Sequence, residues 1–211
     1  IDAETVLYVP KDDRPVSLQY TVDTAREAGM TILTPPQNLI SGKNYQGQAD
    51  QIMAWVEQNA GRADVMVLST DTLIYGGLVD SRKHNIPLST LESRLKRIES
   101  LKARNKNVRI YGFGTVMRSP RASGGGTEPA YYAEYGPTIF QIAALQDKLD
   151  SGSLTQEETQ KLMSLQASVP VEYLQDWFDR RQKNMKINKE LIDETRSGVF
   201  DYFALGHDDT S

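Results

Sequence analysis

The stretch KDDRPVS, residues 11–17, comes directly after the apolar run Val6-Leu7-Tyr8-Val9-Pro10, and the chain closes on LGHDDTS after Phe203-Ala204-Leu205. Between them Asp71 follows the run Val65-Met66-Val67-Leu68, with Tyr75 and Gly76-Gly77 just beyond, and Arg118 follows the run 108–113. Aspartates delivered at the ends of apolar runs suit three uses. Glycoside cleavage needs one carboxyl group held protonated and another ionised. Phosphoryl or acyl hydrolysis uses carboxylates gathered round a hard cation such as Mg²⁺ or Mn²⁺. Without any catalysis, the same carboxylates accept hydrogen bonds from sugar hydroxyls.

On the first reading, Asp208 and Asp209 supply acid and nucleophile or polariser, and Asp13 and Asp71 complete the carboxylate set. Asp12, Arg14, Tyr75, Arg118 and His207 then hold and orient the substrate. Adjacent residues on an extended chain point opposite ways, so at most one of each aspartate pair faces substrate. On the second reading, Asp12 or Asp13, Asp71 and Asp208 hold the cation, while Arg14 or Arg118 clamps an anion. Plainer roles compete with both. Asp71, or one of Asp12 and Asp13, could be the N-cap of the next helix. Arg14 could pair with a neighbouring carboxylate, and Tyr75 could be a packed aromatic with its hydroxyl satisfied. The argument for a site is concentration: five aspartates from three strand ends repel unless a cation, an arginine or a bound proton compensates, which raises at least one carboxyl pKa.

The elements that must position these residues alternate. Runs 5–9, 31–34, 65–69, 108–113 and 200–205 have β character, and segments of helical period lie between the first four. Residues 16–28 end at Gly29, a C′ glycine, and residues 48–60 place Ile52, Trp55 and Val56 on one face before Gly61. A further helix is expected to start at Ser89, with Glu92 completing a capping box and Leu91, Leu95, Ile98 and Leu101 on one face. Strand–helix alternation predicts a parallel sheet with right-handed crossovers, an α/β fold with helices over both faces. An open doubly wound sheet of Rossmann or flavodoxin type is favoured over part of a (β/α)8 barrel, which needs more chain. Strand C-termini then share one edge, where ligands of such sheets bind.

Residues 119–197 separate the last two strands and read as an insertion within a single domain spanning 1–211. Its first part, 119–127, holds Pro120 and Gly124-Gly125-Gly126 and reads as a flap. Helices follow at 129–150, at 155–167 with a Thr155/Glu158 capping box, and at 170–197 ending at Gly198. These are expected to cover or flank the strand-end cleft. Trp55, Trp177 and Phe178 read as core, and Arg180-Arg181 with Lys183, Lys186 and Lys189 as a solvated helix face.

Composition narrows the partners. With 211 residues, 39% of them hydrophobic, the chain can bury a substantial core. A formal charge of −4 without a long basic run gives no footprint for nucleic acid or an anionic membrane. Absence of cysteine removes disulfides and thiolate chemistry, and two histidines, His84 and His207, disfavour a multi-histidine zinc site. No apolar stretch approaches the roughly 20 residues of a membrane span, so a soluble protein is expected. The start at Ile1 rather than Met fits a removed leader or a trimmed terminus, and both a cytoplasmic location and export remain compatible. A small molecule or a glycan is the partner these features leave.

The motifs VPKDDRPV, TPPQNLISG and VLSTDTLIYGGLVDSR, followed by MRSP, Glu134-Tyr135-Gly136, RRQKNMKINKELI and LGHDDTS, run in order along the chain. Together they resemble the bacterial family labelled domain of unknown function 4127. The family pattern differs at Lys11, where an apolar residue is expected, and at His207, where glutamine is common. Proteins of that family continue past the closing aspartate pair, so the resemblance makes this chain an N-terminal portion. It brings no established activity.

Overall fold

The computed structural model describes residues 4–121 and 126–207. Five strands form one sheet: β1 (Thr5–Val9), β2 (Thr31–Leu33), β3 (Val65–Ser69), β4 (Arg109–Val116) and β5 (Tyr202–His207). They run parallel in the order β2-β1-β3-β4-β5. The sheet is open, with β2 and β5 at its ends, which excludes the barrel alternative and gives the flavodoxin-type strand order. Strand β1 lies between β2 and β3, and at this point the direction of winding reverses.

The connecting helices are α1 (Gln19–Glu27), α2 (Ala49–Asn59), α3 (Thr70–Tyr75), α4 (Asp80–Lys83) and α5 (Leu88–Arg104), and the insertion supplies α6 (Tyr132–Ser151), α7 (Gln156–Ala167) and α8 (Val171–Arg196). On one sheet face Leu7, Val9, Met66, Leu68 and Ile110 pack against Ile52 and Val56 of α2, Leu91, Leu95, Ile98 and Leu101 of α5, and Ile187 and Leu191 of α8. On the other, the Tyr8 hydroxyl donates to the Ser17 carbonyl just before α1. Val67, Tyr111 and Phe113 there are only half-buried. Helices therefore cover the two faces unequally, because three of the four crossovers wind in the same direction.

Local signals decided several helix ends. Gly29 and Gly198 hold φ of 80° and 89°, as C′ glycines do. The Thr155/Glu158 capping box forms in both directions. The box expected at Ser89 does not. Helix α5 begins one residue earlier, at Leu88 after Pro87, and the Pro87 carbonyl accepts from the N–H groups of Thr90 and Leu91. Pro87, with its fixed φ, takes the position that Ser89 was expected to hold.

The insertion is helical and has its own apolar cluster of Met117, Tyr132, Ile139, Ile142, Leu162 and Trp177. The first half of α8 joins this cluster and the second half joins the sheet core, so one helix ties the two together. Trp177 is core as expected, whereas Trp55 and Phe178 are partly buried against the two clusters. Among the described residues no helix is long and apolar enough to cross a membrane.

Candidate functional site

The chain leaves β1 at the switch point and is stitched at once to the segment after β3. Thr72 Oγ1 donates to the Pro10 carbonyl at 2.7 Å, and the Leu78 N–H to the Lys11 carbonyl at 3.1 Å. Asp12 is buried. Its Oδ1 accepts the Arg14 backbone N–H at 3.2 Å and its Oδ2 accepts Arg14 Nε at 2.8 Å. The plain pairing role is thus realised for Arg14, which is otherwise exposed. Asp13 is half-buried, and its N–H donates to the Ser41 carbonyl at 2.9 Å, which fixes the loop after β2 against the loop after β1.

Asp71 stands at the end of β3 but does not cap α3. Ser69 does so, accepting the Thr72 N–H at 3.2 Å. The Asp71 carboxylate instead turns toward β4, where Thr115 Oγ1 donates to its Oδ2 at 2.6 Å. Gly114 permits this approach: a Cβ there would lie 2.4 Å from Thr70 Oγ1 and 3.7 Å from Asp71 Oδ1. Asp71 is 2% exposed. Burial raises its carboxyl pKa to about 6, against the lowering effect of the Thr115 hydrogen bonds and of the Arg82 and Lys11 cations. Loss of hydration, rather than the aspartate crowding expected from sequence, is the main cause.

Tyr75, one helical turn on, is 6% exposed, and its hydroxyl has no hydrogen-bond partner among the described residues. Burial and the Asp71 carboxylate push its pKa well above the usual phenol value. The ring stacks on His84 with centroids 4.8 Å apart. His84 Nδ1 accepts the Ile86 N–H at 3.2 Å, which leaves Nε2 to donate to Asn184 Oδ1 at 2.7 Å. Both bonds are satisfied by the neutral ring, and burial lowers its pKa to about 4.

Asn184 also donates to the Ser81 carbonyl at 2.7 Å, and Arg180 Nε donates to the His84 carbonyl at 2.6 Å. Arg180, read from sequence as part of a solvated face, is 4% exposed and is held by Asp176, whose Oδ2 also accepts the Tyr131 hydroxyl. Helix α8 of the insertion therefore flanks the strand-end edge through polar contacts. The His84–Asn184, Asn184–Ser81 and Arg180–His84 hydrogen bonds there are buried and correspondingly costly to break.

The structure brings Asp12, Asp13, Asp71 and Tyr75 to the edge formed by the ends of β1 and β3, and adds Lys11, Arg82, His84 and Thr115, which sequence reasoning did not single out as site residues. Arg118 is exposed just beyond β4, and His207 closes β5 opposite Val116. Asp208 and Asp209 lie outside the described residues, as do Gly124 and Gly125 of the expected flap. Among the described residues no three His, Asp or Glu side chains converge as metal ligands would. Lys11 and Thr115 carried a signal, since each sits within a residue or two of a strand C-terminus. His84 carried none.

A model of the family described as "Protein of unknown function (DUF4127)" matches residues 6–211, essentially the whole chain. No curated protein and no solved structure matches it.

Proposed function

We propose that this chain, which belongs to the DUF4127 family, is a hydrolase directed at glycans, with Asp71 as its general acid–base. The observation that supports this most is the Asp71 carboxyl: buried at the strand-end edge of a parallel sheet, turned from the end of β3 toward β4, with a pKa of about 6. Such a group carries a proton into the neutral range and gives it up at little cost, as the leaving oxygen of a glycoside requires. In its ionised form it takes a proton from the attacking water. The buried Tyr75 hydroxyl beside it, without a partner among the described residues, is suited to a substrate hydroxyl or ring oxygen. Asp13 at the end of β1, with Asp208 and Asp209 after β5, supplies the second carboxylate that the reaction needs.

The test is release of reducing ends or aryl alcohols from a panel of polysaccharides and aryl glycosides, by wild type and by Asp71→Asn. The substitution is expected to lower turnover by about 10²–10⁴-fold, the usual share of a general acid–base. Turnover that needs added Mg²⁺ or Mn²⁺ and falls on phosphate or acyl esters would replace this reading with the metal-dependent one. Glycan binding without turnover would leave a sugar-binding module.

A further inference from the structure

The loop between β2 and α2 is built with unusual closeness against the strand-end edge. Gly47 N–H donates to Asp80 Oδ2 at 3.0 Å. A Cβ on Gly47 would lie 1.8 Å from the Gly76 carbonyl oxygen, and one on Gly77 would lie 1.9 Å from Ser41 Oγ. Only residues without side chains let the 41–47 loop and the 76–77 turn meet at this distance. Burial raises the Asp80 pKa, and the Gly47 hydrogen bond acts against it.

What this loop presents is an aromatic ring. The Gly42 N–H donates to the Tyr45 carbonyl at 3.1 Å, closing a four-residue turn, and the Tyr45 ring lies across Gly42, where a Cβ would come within 2.3 Å of Cζ. One face of the ring is therefore backed by main chain, yet Tyr45 is 53% exposed. It stands in the wall of a groove of ≈ 410 Å³ shared with Lys43, Asn44, Gln46, Asp80 and Lys83. A supported ring with an open face, beside two side-chain amides and charged groups, matches the two-sided chemistry of a pyranose. The C–H face of such a sugar stacks on an aromatic plane, and its equatorial hydroxyls need donors and acceptors round the rim. A chain of net charge −4 is a poor partner for a polyanion whose bases could stack in the same way.

We infer that this groove is a sugar-binding subsite with Tyr45 as its stacking platform and Asn44 and Gln46 as its hydroxyl partners. The groove lies beside the Gly76-Gly77 turn that ends α3, the helix that carries Asp71. The inference rests on the glycan-directed reading of Asp71 for its connection to turnover, but the binding itself is separately measurable.

The experiment is a glycan array carrying neutral and N-acetylated oligosaccharides, probed with wild type, Tyr45→Ala, Tyr45→Phe, Gln46→Ala and Asp71→Asn, followed by calorimetric titration of the best soluble oligosaccharide. Tyr45→Ala is expected to weaken binding by roughly tenfold, the worth of one aromatic stack, and Tyr45→Phe to retain it. Gln46→Ala, an exposed change that leaves the loop's anchors intact, should weaken binding as well. Asp71→Asn should bind like wild type while losing turnover. Tyr45-dependent binding with no turnover by any form would keep the subsite and remove the hydrolase. Turnover lost in Asp71→Asn with binding unchanged in Tyr45→Ala and Gln46→Ala would do the reverse, and absence of binding to every oligosaccharide on the array would overturn the subsite.

Discussion

Thr115 on β4 donates its hydroxyl to Asp71 on α3 at 2.6 Å, so the carboxylate at the end of one strand is held by a hydroxyl near the end of the next. The bond favours the ionised form of Asp71 and works against the burial that favours the protonated one.

Replacing Thr115 by valine keeps the shape and removes the donor. The Asp71 pKa then rises further above about 6. A hydrogen bond to a charged acceptor is worth about 1.5–3 kcal/mol and one to a neutral acceptor about 0.5–1.5. Thr115→Val should therefore lose more stability at pH 7.5 than at pH 4.5. Urea denaturation at the two values checks this, and an equal loss at both would mean that Asp71 is in the same charge state at each.

Tyr75→Phe separates a packing role from a binding role. The hydroxyl is buried without a partner among the described residues, so its removal should leave stability unchanged or improve it by up to about 1 kcal/mol. Under the proposed function the same change raises KM or lowers kcat/KM. A thermal melt and a kinetic comparison suffice; a clear loss of stability would show a partner for the hydroxyl within the protein.

His84 is held neutral, with its pKa lowered from 6.5 to about 4 mainly by burial. The unfolded chain binds the proton first as pH falls, so the His84 contribution is complete above about 6.5 and is lost as pH drops toward 4. Asn184→Ala removes the acceptor of His84 Nε2–H and the donor to Ser81. It should cost about 2–3 kcal/mol, since two buried groups lose partners. Chemical denaturation at pH 7 reads this directly, and a cost below about 0.5 kcal/mol would be that of a surface site.

At the far end of α8, Glu194 is 6% exposed, and burial, with the neighbouring Glu99 carboxyl, pushes its pKa to about 9. The folded state keeps a proton there that the unfolded state has released, so stability falls as pH rises from about 4.5 toward 9. Glu194→Gln carries no such penalty. It should match wild type near pH 5 and exceed it near pH 9 by at least about 1 kcal/mol. A pH-independent difference would contradict the buried proton.

Features that are local, or that strand polarity dictates, were the ones readable from sequence. The Thr155/Glu158 box lies within one turn, and the placing of Asp12, Asp13 and Asp71 comes from the rule that parallel strands end on one edge. Helix α3 escaped because TDTLIY is too short to show a helical period, and so the cap passed to Ser69 unseen. Arg180 shows the division most clearly. It was read as part of a solvated face; Asp176 stands four positions before it, a spacing at which helical side chains pair, but the burial of Arg180 depends on the His84 carbonyl, 96 positions away in sequence. The Tyr75–His84 stack likewise depends on two intervening turns that bring the rings together.

The acid–base role of Asp71 stands or falls on whether its carboxyl keeps a proton close to neutral pH. Titration of side-chain carboxyl carbons by NMR, with the Asp71 signal assigned by its loss in Asp71→Asn, measures this without a substrate. The expected midpoint is near 6, displaced upward in Thr115→Val. A midpoint at or below the 3.8 of an ordinary aspartate would refute the role and return Asp71 to that of a structural carboxylate.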